Sequence, residues 1–131
     1  MQACLQNWER VINASTHATI DNYMNTITMK SLKTETNPQV KIMFWFLFAS
    51  TKGAATRIRI VNLLRNQPYN ANQISKEVSL DYKAVRHHLK TLEKNNLIEK
   101  FDTQYGGSYY LSTLFEENLK IFDEISSRTT L

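Results

Sequence analysis

The chain has 131 residues, 42% hydrophobic and 21% charged. That suits one domain, or one domain with a helical extension, and excludes a compositionally disordered protein. Net charge is +4 with pI near 9.2. The longest apolar run, Ile42 to Ala49, is far shorter than the roughly 20 residues of a bilayer span, and no basic segment followed by an apolar one opens the chain. Neither a membrane association nor secretion is therefore expected. The single cysteine, Cys4, rules out intramolecular disulfides and fits a cytoplasmic setting.

The basic charge is concentrated in the middle of the chain. Residues 53–100 carry nine Lys/Arg against four Asp/Glu, a net of +5. Residues 101–131 carry two against five, a net of −3. A clustered basic surface raises the expectation of a polyanionic partner.

Residues 1–38 read as an N-terminal extension of unclear structure, rich in Thr and Asn, and 39–131 as a single domain. Thr34 to Pro38 marks a break, because Asn37 precedes a proline and is biased away from helix. Residues 39–50 are apolar all round (Val40, Ile42, Met43, Phe44, Trp45, Phe46, Leu47, Phe48) and read as a buried helix that needs cover, expected from a second subunit. Thr56 to Asn66 is predicted helical, with Ile58, Ile60, Val61, Leu63 and Leu64 inward and Arg57, Arg59 and Arg65 outward. Pro68-Tyr69-Asn70 is a connector with room for one residue pair of strand. Asn70 and Gln73 then form a capping box that opens a short helix to Val78.

Ser79-Leu80 is a turn, and Asp81 caps a helix over about 82–95. Asn96 suits the left-handed position that follows a helix. Strands over Leu97 to Asp102 and Ser108 to Ser112, joined by a turn in which Gly106 and Gly107 supply positive φ, make a wing over about 97–112. A last helix is predicted over about 113–127, with Leu114, Phe115, Asn118, Ile121, Phe122 and Ile125 on one stripe. The expected fold class is mainly α with a small β-hairpin: a winged helix-turn-helix flanked by N- and C-terminal helices.

At about 100° per residue, the helix over 82–95 places Val85, Leu89, Leu92, His88 and Tyr82 on one face. Lys83, Arg86, His87, Lys90 and Lys94 fall on the other, with no acid among them. Such a stripe suits a DNA major groove. Lysines neutralise phosphates, and an arginine one turn in can bond guanine O6 and N7 together. Tyr82 and Asn72, at helix starts, are candidates for backbone or base-edge contact. Double-stranded DNA is the expected partner.

Thr56-Arg57-Ile58-Arg59-Ile60-Val61-Asn62-Leu63-Leu64 resembles the opening helix of ArsR-type winged-helix repressors, and Val85 to Ile98 resembles their recognition helix and wing start. Phe46 to Gly53, Asn70 to Gln73 and Leu80 to Lys83 look more like the archaeal branch of that group. The resemblance covers about residues 44–112. It implies a homodimeric transcription regulator built on first and last helices, which makes Phe44, Trp45, Phe46 and Phe48, with Leu114, Asn118, Ile121, Phe122 and Ile125, the candidate dimerisation residues. It also implies two recognition helices entering adjacent major grooves, hence an inverted-repeat operator.

Two departures from that family stand out. Residues 72–78 lack the cysteine pair, and 113–131 the histidines, by which many members sense metals, so no metal or other cofactor is expected. The wing tip, 103–108, has no Arg or Lys, leaving Gln104 and Tyr105 as its candidate DNA contacts. His87 and His88 point about 100° apart and cannot chelate one ion well; His88 reads as a hydrogen-bonded packing residue. Trp45 reads as helix packing, and His17 and Cys4 as unremarkable. Lys52-Gly53 lacks the remainder of a phosphate loop. No catalytic constellation stands out, so an enzyme is not expected. Two alternatives stay open at this level: a winged-helix protein-interaction module, and a non-specific chromatin-like DNA binder.

Overall fold

The computed structural model describes residues 28–101 and 106–129. They form two compact units: one from 28–55 together with Leu119–Thr129, the other from Thr56–Asn118. The expected contacts at Gln104 and Tyr105, and His17 and Cys4, lie outside the described residues.

In the first unit a single 3-10 turn, Met29–Ser31, precedes helix α1, Pro38–Trp45. The break at Asn37 is where the sequence places it. Asn37 caps α1 by accepting from the Gln39 N–H at 2.9 Å, and Pro38 occupies the first helical position, where its missing N–H costs nothing. The helix expected over 39–50 is not uniform: from Phe46–Ser50 the chain winds as a π-helix, and the Thr51 hydroxyl donates to the Phe46 carbonyl at 3.0 Å.

The sequence expectation of a second subunit covering this segment needs correction. Phe44, Trp45 and Phe48 are buried within the chain, as are Ile121, Phe122 and Ile125 of helix α6, Leu119–Thr129. Phe48 meets Phe44 and Phe122 edge-on, with ring centroids at 5.6 and 5.1 Å. These six candidate dimerisation residues therefore present no surface to a partner. Phe46, Leu114 and Asn118 remain half-exposed.

α6 also holds the segment before α1. The backbone N–H groups of Lys33 and Thr34 donate to Glu124 Oε2 and Oε1 at 2.7 and 2.8 Å, and Arg128 Nη1 donates to the Ser31 carbonyl at 2.9 Å. Partial burial pushes the Glu124 carboxyl up, but the Thr34 and Lys33 hydrogen bonds and the Arg128 charge outweigh it, so it sits below its usual range.

Helix α2, Ala54–Leu64, belongs to the second unit from Thr56 onward, and this unit also carries strand β1, Tyr69–Asn70, helix α3, Ala71–Val78, helix α4, Tyr82–Lys94, strands β2, Ile98–Lys100, and β3, Ser108–Leu111, and helix α5, Thr113–Glu117. The three strands form one antiparallel sheet in the order β1-β3-β2. Tyr69 pairs with Tyr109, and Glu99 with Tyr110.

The local signals work as read. Asn70 accepts from the Gln73 N–H at 2.8 Å while the Gln73 side chain accepts from the Asn70 N–H at 2.9 Å. Asp81 caps α4 through the Lys83 and Ala84 N–H groups, and Asn96 takes φ 60°. That left-handed residue turns the chain into β2, and its carbonyl accepts from Ser112 Oγ at 2.6 Å. Ser112 in turn caps α5.

The single last helix expected over 113–127 is in fact α5 and α6, broken at Asn118. There the Asn118 side-chain amide donates to the Leu114 carbonyl at 2.8 Å, and its backbone N–H turns to Phe115 O instead. A side chain has taken the place of the helix ladder bond.

Candidate nucleic-acid interface

α4 is a helix with two unlike faces. Val85, Leu89 and Leu92 are fully buried, and α3, which packs on α4, buries Ile74 and Val78. The π-free, 13-residue length of α4 keeps the phase constant, so the 3.6-residue period sets which side chains point outward. Lys83, Arg86, His87, Lys90 and Lys94 are all exposed. Among the described residues no acid forms an ion pair with any of them.

Two sequence expectations fail on this unit. Tyr82, placed by helical phase on the core face, is 51% exposed, because it stands in the first turn, where nothing packs over it. It remains a surface candidate. Arg57, expected outward on α2, is 6% exposed. Its Nη1 lies 3.3 Å from His88 Nδ1. Arginine only donates, so His88 accepts at Nδ1 and carries its proton on Nε2. Burial lowers the His88 pKa, and the charges of Arg57 and His87 lower it further. Burial likewise lowers Arg57. His88 is the hydrogen-bonded packing residue that the sequence suggests.

Beside α4 a cleft of about 270 Å³ opens, lined by Asn70, Asn72, Tyr82, Arg86, Lys100 and Tyr109 among others. The structure thus brings together three of the predicted residues, Asn72, Tyr82 and Arg86. It spreads Lys83, His87, Lys90 and Lys94 along the helix beyond them.

Lys100 and Tyr109 were not singled out from sequence. Arg86 Nη1 donates to the Tyr109 hydroxyl at 3.2 Å, and Lys100 Nζ stands 5.7 Å from the centroid of the Tyr109 ring. Strand alternation offers a signal: Tyr109 and Tyr110 must face opposite ways, and only one can turn toward α4. Tyr110, on the other face, stacks on Phe101 at 4.4 Å, and its hydrogen bond with Glu99 raises its phenol pKa.

The turn glycines differ from each other. Gly106 has φ 85°, whereas Gly107 is needed for room: a Cβ there would collide with the Phe101 carbonyl and the Lys100 side chain.

Residues 55–100 match the model of the bacterial regulatory protein, arsR family, which is about a third of the chain and runs from α2 into β2. M. tuberculosis Rv0081 is 18% identical over 72% of this chain and 93% of its own, with a TM-score of 0.55. A double mutant of Lactococcus lactis ZitR is 14% identical over 98% and 75%, with a TM-score of 0.52. The PcaV transcriptional regulator from Streptomyces coelicolor, in complex with its natural ligand, is 19% identical over 69% and 64%, with a TM-score of 0.51. No curated protein sequence matches the chain.

The chain is a winged helix-turn-helix protein. In the winged helix α3 and α4 are the helix-turn-helix pair, and β2 and β3 are the wing. Among the described residues no group of three or more His, Cys, Asp or Glu is arranged to hold a metal ion, and no helix is long and apolar enough to cross a membrane.

Proposed function

We propose that this winged helix is a sequence-specific double-stranded DNA-binding transcription regulator, acting in the cytoplasm as a homodimer on an inverted-repeat operator. The observation that carries the reading is the outer face of α4. Lys83, Arg86, His87, Lys90 and Lys94 are exposed together on the second helix of a helix-turn-helix whose other face buries Val85, Leu89 and Leu92. The arsR-family match over the same segment supports it. The likeness of 46–53, 70–73 and 80–83 to archaeal members supports placement in that branch. It is a binding protein in this reading, and not an enzyme.

The face divides by chemistry. Arg86, one turn into α4, presents a planar fork of donors for a guanine edge. Lys83, Lys90 and Lys94 are point charges for phosphates, whose neutralisation releases counterions. Asn72 and Tyr82 flank the fork. Gln104 and Tyr105 at the wing tip are assigned to backbone contact. A single winged helix covers about one half-site, so a two-fold pair of copies reads two half-sites about 34 Å apart. With six of the sequence candidates already buried, Phe46, Leu114 and Asn118 remain as dimer contacts. Phe46→Asp is then the informative substitution, since a charge at buried Ile121 would unfold the chain.

A fluorescence titration against labelled duplex at 50 and 200 mM salt tests the reading. A dimer contacting about 6–10 phosphates loses about 10³–10⁵-fold in affinity over that interval. A flat salt response would remove DNA as the partner and leave a protein-interaction module.

A further inference from the structure

Tyr109 lies in β3, the middle strand of the sheet, and is 3% exposed. A tyrosine buried to that degree needs a partner for its hydroxyl. The partner is Arg86, at 3.2 Å. Among the described residues Arg86 is the one outward cation of α4 whose side chain a hydrogen bond holds. Lys83, Lys90 and Lys94 project without one.

An unrestrained arginine samples many rotamers, and ordering it on binding costs conformational entropy. The Tyr109 bond meets part of that cost in the free protein. It occupies one of the five guanidinium N–H donors and leaves enough for a two-point contact with guanine O6 and N7. The ring face of the same tyrosine serves Lys100, whose stem has room because position 107 is glycine. Hydroxyl and ring therefore act on two different cations and can be separated by one substitution.

We propose that Tyr109 is a positioning residue for base reading: its hydroxyl fixes the Arg86 guanidinium in the orientation that meets a base edge. The wing then contributes to specificity from inside the protein, without touching the base. The inference rests on the DNA-reading function proposed above.

Tyr109→Phe removes the hydroxyl and keeps the ring. Two measurements on the full chain test it. In the free protein, the ¹⁵N relaxation of Arg86 Nε reports whether the side chain is held, with Arg59, whose Nη2 donates to the Val78 carbonyl at 2.9 Å, as the internal control. Tyr109→Phe loosens Arg86 and leaves Arg59 as it was.

The second measurement is competition binding to duplexes that differ at the one position whose preference Arg86→Ala relaxes. Discrimination there falls about 3–10-fold, the worth of one net hydrogen bond, and preferences at other positions stay. In the Arg86→Ala background, Tyr109→Phe has no further effect on discrimination. An unchanged Arg86 Nε signal overturns the proposal regardless of DNA. So does a loss spread equally over all positions, which marks a merely structural role. Tighter or more discriminating binding overturns it too, because the bond would then sequester Arg86. If Arg86→Ala itself relaxes no preference, the base-reading function fails, and the positioning role goes with it.

Discussion

α4 and α6 are both amphipathic, and both fill their inner face with fully buried apolar side chains: Val85, Leu89 and Leu92 in one, Ile121, Phe122 and Ile125 in the other. Their outer faces differ in kind. On α6 the charges are mixed, and two of them are spent locally. Glu124 takes the Lys33 and Thr34 N–H groups, and Arg128 takes the Ser31 carbonyl and stands 3.5 Å from Glu124. On α4 the exposed charges are basic except for Glu93 in the last turn, and the lysines have no protein partner among the described residues. An inner stripe shows that a helix packs. Outer charges left unpaired are what a polyanionic partner could use.

Five substitutions and one addition can break that comparison. The largest effect belongs to the inner face. Phe122→Ala leaves a cavity beside Phe48 and should cost about 3–5 kcal/mol in equilibrium denaturation. A loss below about 1 kcal/mol would show that the aromatic cluster is not the core of its unit.

Arg86→Ala comes next. It should cost about 1–3 kcal/mol of operator binding per half-site, and about 1 kcal/mol or more of folding stability as well, because the buried Tyr109 hydroxyl loses its partner. Lys94→Ala should weaken binding to all duplexes alike and lower the salt slope by about one unit for each phosphate the lysine neutralises, whereas Lys120→Ala on α6 should leave the slope where it was.

A smaller effect comes from His88. Its folded pKa lies below the ordinary value of 6.5, so the unfolded chain takes up a proton that the folded chain refuses. Stability is then full above about pH 6.5 and declines as the pH falls below it. His88→Gln should flatten that part of the pH profile of the melting midpoint. Zinc or a chelator should leave DNA binding unchanged, by the same titration.

What was legible in the sequence is what short-range chemistry decides. The Asn70–Gln73 box, the Asp81 cap and the left-handed Asn96 each involve a few neighbouring residues, and each is found where expected. The outer face of α4 was legible because a regular helix keeps phase. What was not legible depends on a partner distant in sequence. Arg57 reads as an outward arginine until His88 is seen across from it. The apolar run 40–50 reads as needing a second subunit until Phe122 is seen against Phe48. Asn118 reads as part of a stripe, but its amide breaks the helix there. Tyr109 reads as one strand tyrosine of two. Only the pairing of β3 between β1 and β2, with α4 alongside, shows which of them reaches Arg86.

The central claim is that the outer face of α4 reads base sequence. Selection of bound duplexes from a random pool, with wild type and Arg86→Ala in parallel, tests it most directly. The account predicts that wild type enriches an inverted repeat with half-site centres one helical turn apart, and that Arg86→Ala loses the preference at one symmetric pair of positions while keeping the others. A pool that returns no common sequence, with both proteins still bound at low salt, would contradict it and leave a protein that holds only the DNA backbone.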